Sequence, residues 1–185
     1  EASNNVQEIY NKKGVGGALD IINEFGPIVD RIVKSREGAP GYDYQMLKDE
    51  IETGKRGILD MIQEYNPESA EYTYIDKNGE KAKATVVVNN KGEVKINKVK
   101  IDALTGAKRT TIQEHINNNF GEVTNRKQIP LAAYINTLLP RRAIEASKAV
   151  LKEGFEGDVT EARGVVAETD VETTTPPRPK VAPVV

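Results

Sequence analysis

Lys13-Gly-Val-Gly-Gly17 places glycines ahead of a helical stretch, the kind of loop that can cradle a phosphate on backbone N–H groups. The spacing is not Gly-x-x-x-x-Gly-Lys-Ser/Thr, no strand precedes it, and the second half of a dinucleotide fingerprint is missing. A joint between two helices is the better reading. Asp76-Lys-Asn78-Gly79-Glu80 resembles half of a calcium loop, but an EF-hand needs a longer run of alternating oxygen ligands between helices. Strands flank this segment, so it reads as a hairpin turn. His115 is the only histidine and lies in a helix between Ile112 and Ile116, beside Glu114. A general base needs a nucleophile or substrate in reach and a group to orient it, and no spacing here supplies either. One histidine and no cysteine leave no conventional zinc set. No Asp-x-Asp or Glu-x-x-Glu pair stands at a motif-like place for magnesium. The sequence therefore predicts no catalytic, cofactor or metal-binding residues, and a protein that is not an enzyme.

The middle of the chain is basic. Residues 81–109 carry Lys81, Lys83, Lys91, Lys95, Lys98, Lys100, Lys108 and Arg109 against Glu93 and Asp102. If Lys81, Lys83, Lys95, Lys98 and Lys100 gather on the solvent face of a sheet, they can track a phosphate backbone while Tyr72 and Tyr74 stack bases. The competing reading is a lysine-studded polar face that keeps an exposed sheet soluble and its edges unpaired. Lysine in place of arginine, and no glycine-aromatic RNA-binding signature, favour the second. Arg126-Lys127 and Arg141-Arg142 are isolated pairs and add little.

The elements that must position these residues fall into four regions, and the expected class is α+β, with helices on either side of a small three-stranded antiparallel meander. Residues 3–65 read as helical. Val6, Ile9, Tyr10 and Lys13 form a short amphipathic helix ending at Gly14, and Ala18, Leu19, Ile22 and Phe25 a second, which Pro27 kinks or restarts before Ile28, Val29, Ile32 and Val33. Asp43 is the N-cap expected for a third helix, with Leu47, Ile51, Ile58, Ile62 and Tyr65 on one face. Gly54 and Gly57 inside it suggest close approach of another backbone. The meander spans residues 71–101, with Asn-Gly-type turns at 76–79 and 89–92. Its third strand, 93–101, changes parity between Ile96 and Val99, which predicts a β-bulge near Asn97-Lys98. Residues 110–155 read as helical again: a capping box at Thr111-x-x-Glu114, Gly121 closing the first helix, and Pro140 separating two later ones. Residues 1–155 are expected to form one domain.

The chain has 185 residues, 26 basic and 28 acidic, and a core that must be built from Ile, Val and Leu because it has no Trp. The balance points to neither a polyanion binder nor an acidic solvating protein as a whole. The most apolar window, Gly14 to Val33, is interrupted by Asp20, Glu24, Asp30 and Arg31, so it reads as an amphipathic helix that packs on other helices, with no membrane partner.

Beyond Phe155 no helical or strand period is apparent. The chain turns to Gly, Thr, Glu and Val and ends Pro-Pro-Arg-Pro-Lys-Val-Ala-Pro-Val-Val. Such a segment buries too little apolar surface to offset its ordering entropy alone, so residues 156–185 are expected to be an extended arm that needs a partner. Pro176, Pro177, Arg178 and Pro179 fit a minimal polyproline ligand, and Val181, Val184 and Val185 are the expected anchors on a neighbouring subunit. Rich in Asn, Thr and Lys, free of cysteine, lacking an initiator Met and carrying this arm, the chain resembles in general composition the structural proteins of large tailed bacteriophages. The resemblance implies a multi-copy virion component working among protein subunits. Without it, a cytoplasmic protein is expected. A nucleic-acid-binding module using the meander lysines is the alternative.

Overall fold

A computed structural model describes residues 2–151, with side chains from residue 5 onward. In chain order the elements are α1 (Ala2–Lys13), a 3-10 turn (Gly14–Gly17), α2 (Ala18–Glu24), α3 (Gly26–Lys34), α4 (Tyr44–Thr53) and α5 (Ile58–Glu64). There follow β1 (Ala70–Ile75), β2 (Lys81–Val88), β3 (Val94–Ile96), β4 (Val99–Lys100), a 3-10 turn (Asp102–Leu104), α6 (Arg109–Asn119), β5 (Glu122–Gln128) and α7 (Leu131–Val150). The class is α+β. The chain divides into two compact units, residues 63–131 and the remainder on either side.

The helical unit is built on β-branched and leucine side chains at helical spacing. Ile21, Ile22, Phe25, Val29, Ile32 and Val33 are buried along α2 and α3. The break between these helices falls where Pro27 lacks an N–H: α3 starts at Gly26 with the proline in its first turn, where a missing donor costs nothing. Asp43 caps α4, its carboxylate accepting from the Met46 N–H at 3.0 Å. The helix expected to run on through Gly54 and Gly57 instead stops at Thr53 and restarts at Ile58. A Cβ on Gly57 would lie 2.5 Å from the Ile51 carbonyl oxygen, and one on Gly54 would meet the carbonyl of Glu50. The close backbone at these glycines is the end of α4 itself, over which the chain folds back.

Pro140, expected to separate two helices, lies inside one continuous helix, α7. An interior proline forfeits one backbone hydrogen bond. Here buried side chains on both sides of it, Ile135 and Leu139 before and Ala143, Ala146 and Ser147 after, hold the two halves to one stripe. Arg142, only 6% exposed, donates from that stripe to the Arg56 carbonyl and to Asp60, each at 3.0 Å.

The second unit is a five-stranded antiparallel sheet in the order β4-β3-β2-β1-β5, not the three-stranded meander expected. One added strand comes from Asn97-Lys98. Both residues have positive φ, 51° and 73°, and Ile96 pairs with Val99 across them. A two-residue turn of this handedness suits the twist of a hairpin. The parity change read as a bulge is therefore a reversal of direction, which keeps Ile96 and Val99 on one face. The other added strand, β5, occupies a stretch expected to be non-strand. It carries a single apolar residue, Val123, and a register shift against β1 between Thr73 and Tyr74 that breaks its alternation.

The β1–β2 and β2–β3 turns are near copies. The side chain of Asp76 accepts from the amides of Asn78 and Glu80, and that of Asn89 from the amides of Lys91 and Glu93, all at 2.9 Å. Gly79 and Gly92 follow with φ of 81° in each. The capping box does not form. α6 begins at Arg109 with Lys108 as an N-cap that makes no side-chain bond, so Thr111 and Glu114 lie inside the helix. Its entry is fixed just upstream, where the Gly106 amide donates to Gly92 and that of Ala107 to Leu104. Ile112 and Ile116 of α6 pack with Leu104 on Tyr72, Ala84, Val86, Val88, Val94 and Ile96, so one face of the sheet is core.

Candidate functional site

The opposite face of the sheet carries the lysines. In β2 the residues Ala84, Val86 and Val88 point into the core, which turns Lys81, Lys83, Thr85 and Val87 outward. Residues directly opposite on neighbouring strands share a face. Val87 pairs with Lys95, and Lys95 with Lys100, so both belong to the outer face. Four of the five lysines singled out are thus brought together. The fifth, Lys98, lies in the β3–β4 turn.

The pattern extends to Lys127, half of a basic pair that the sequence leaves isolated. Lys127 of β5 pairs with Glu71 of β1, and Asn125 with Thr73, so they continue the outer face on the far side of β1. No alternation in β5 announced this, because the register shift interrupts it. The face is not uniformly cationic. Lys83 lies 3.6 Å from Glu71, and Lys100 lies 3.5 Å from Glu93 and 3.8 Å from Asp102. Glu93 ionises below its ordinary range, first because Asn89 donates to it at 2.9 Å and then because of Lys100. Lys81, Lys95 and Lys127 make no ion pair among the described residues.

Tyr72 and Tyr74 do not join this face. Their pairing with Ala84 and Ala82 puts them on the α6 side, where Tyr72 is 1% exposed and Tyr74 meets the edge of Phe120 at 5.6 Å. The expectation that they stack bases beside the lysines fails because strand residues alternate between faces. Tyr72 is instead the acceptor for Arg126 Nε at 3.2 Å, and the guanidinium lies 5.8 Å from its ring centre. The same Arg126 reaches the carbonyl of Glu68, whose carboxylate takes both Arg109 Nε at 3.0 Å and Nη2 at 2.9 Å. These charges tie β5 and the start of α6 to the segment entering β1.

Among the described residues no three His, Asp or Glu side chains come together as a metal set. His115 is half-buried in α6. The glycines of 14–17 form the turn between α1 and α2, where Gly17 packs against Ile9. No helix among the described residues is long and apolar enough to cross a membrane. The arm residues Pro176, Pro177, Arg178, Pro179, Val181, Val184 and Val185 lie outside the described residues. Comparison of the chain with protein-family models, with curated proteins and with solved structures found no match.

Proposed function

We propose that this is a non-enzymatic assembly protein, a component of a bacteriophage particle, whose folded body docks in a larger structure while residues 156–185 bind a neighbouring subunit. The observation that carries this reading is the contrast in composition within one chain. Residues up to 151 supply a full apolar core, whereas the last ten residues contain four prolines and only Val181, Ala182, Val184 and Val185 as other apolar side chains, too few for a core of their own. A segment of that kind gains order only against a partner surface. Limited proteolysis with intact-mass detection tests it, on the isolated chain and on the assembly. Tryptic cleavage after Arg163 and Lys180 in the free chain, with protection in the assembly, is the expected result. Equal cleavage in both states overturns the reading.

A second reading, a nucleic-acid-binding module, is favoured by one observation: Lys81, Lys83, Lys95 and Lys100 share an outer face. The carboxylates beside Lys83 and Lys100 reduce what that face offers a phosphate backbone. Binding of a labelled single-stranded oligonucleotide, titrated over a range of salt, decides it. Affinity that falls steeply with salt and is lost in a K81E/K95E variant supports this reading. Salt-independent or undetectable binding removes it.

A further inference from the structure

No stretch of the tail is apolar enough to stand alone as a folded element. Against the free edge of β5, one short run in it acquires a meaning. In residues 165–173, Val165, Ala167, Thr169, Val171 and Thr173 take the odd positions, while Glu168, Asp170 and Glu172 follow Val166 at the even ones. From Ala167 onward that is the two-residue period of a strand with one face of small and β-branched residues and one acidic face.

β5 offers a matching edge. It pairs only with β1 among the described residues, and the other edge strand, β4, is two residues long. The Ile129 amide donates to Ser69, so by antiparallel alternation Lys127 and Asn125 turn their backbone groups toward β1. Arg126 and Gln128 therefore present their amides and carbonyls outward. Nearer the start of β5 the edge is partly occupied, since the Val123 amide donates to Asn117 at 2.8 Å. An added strand would set its residues opposite Arg126 and Gln128 on the α6 side, and the residue between them opposite Lys127 on the lysine side.

We propose that residues 165–173 of a second copy of this chain add as a strand to the outer edge of β5, with an acidic residue opposite Lys127. The proposal rests on the reading of the tail as an intersubunit arm and identifies the surface that receives it. Charge fits the pairing: residues 156–175 hold six acidic residues against Arg163 alone, and Lys127 makes no ion pair among the described residues. The length fits as well. Pro176 and Pro177 cannot donate to a ladder, so pairing stops before them. Backbone hydrogen bonds then supply affinity, and the alternating faces supply register.

The absence of native cysteine makes a direct test available with the full chain. An isotope-labelled Gln128→Cys chain is mixed with unlabelled chains carrying one cysteine at Ala167, Glu168, Thr169, Asp170 or Val171. After mild oxidation, mixed disulfides are quantified by intact mass. Opposed residues in an antiparallel ladder sit within disulfide reach. Trapping is expected at 167, 169 or 171, at least tenfold above that at 168 and 170, and above that of a Val99→Cys chain, which carries its thiol on the opposite edge strand. Yields that ignore parity, or that equal the Val99→Cys control, overturn the proposal. So does a Gln128→Cys/Thr169→Cys chain that closes only on itself when mixed with labelled copies. If the tail is protease-protected in the assembly while Gln128→Cys traps nothing, the arm reading stands and this receiving edge is wrong. If the tail is unprotected there, both fall.

Discussion

The hydroxyl of Ser69 makes both hydrogen bonds that the Val88 backbone would otherwise make to a strand, accepting from its amide at 2.9 Å and donating to its carbonyl at 3.2 Å. Ser69 is fully buried and lies just before β1, where the chain turns away from β2. A side chain thus extends the ladder one step past the end of the strand. Ser69→Ala leaves a buried donor and a buried acceptor on Val88 unsatisfied, which costs about 2 kcal/mol. The denaturant midpoint is expected to fall with the slope of the transition unchanged, since the fold is kept and only its stability drops. A midpoint within error of wild type would show that water reaches Val88.

Gly121 joins α6 to β5 at a φ of +156°, and a Cβ there would collide with the Ile75 carbonyl oxygen. The contact is with backbone, which cannot rotate away, and β5 begins at the next residue, opposite Ile75. Gly121→Ala is therefore expected to cost about 3 kcal/mol or more through strain and overpacking. Thermal unfolding measures it. Gly79→Ala is the comparison, because it meets the same preference for positive φ with nothing within 4 Å of the new Cβ.

Lys98 occupies a left-handed conformation, φ 73°, after Asn97 at φ 51°. Asparagine tolerates that region, whereas a lysine side chain is disfavoured in it. Lys98→Gly is expected to stabilise the protein by about 0.5–1 kcal/mol, offset in part by greater entropy of the unfolded chain. A lowered melting temperature would mean that the lysine side chain contributes more than its backbone strain costs.

The sequence announces those parts of the fold in which local chemistry and burial agree. The helix break at Pro27, the cap at Asp43 and the turns at Asp76 and Asn89 each depend on residues within a few positions. The errors share a different cause: contacts made far along the chain. Pro140 is retained in a helix because residues on both sides of it are buried. β5 exists because β1 needs a partner on its second edge, although its own sequence has only Val123 to bury. The lysine face was legible in β2 by alternation, but the turn at Asn97-Lys98 had to be recognised before Lys100 could be placed on it. Tyr72 and Tyr74 stand near these lysines in the sequence but not on their face. Counting parity from Ala84, across the β1–β2 pairing, would have put them on the other.

Glu68 holds Arg109 through two hydrogen bonds and lies 3.5 Å from Arg126, and its carboxyl ionises below the ordinary value of 4.5, chiefly because Arg109 donates to it. A carboxyl whose pKa is lower folded than unfolded contributes stability that is fully present above the unfolded pKa. That contribution is lost as the pH falls through the folded pKa. Wild type should therefore exceed Glu68→Gln in stability by a constant margin at neutral pH, and the margin should shrink from near pH 4.5 downward. The side chains of Glu68 and Arg109 remain 45% and 53% exposed, so the margin is small and salt should reduce it. Urea midpoints of the wild type, Glu68→Gln, Arg109→Ala and the double variant, taken at neutral and at acid pH, form the cycle that isolates the pair. A coupling that persists unchanged at acid pH would mean the two side chains are held by packing and not by charge.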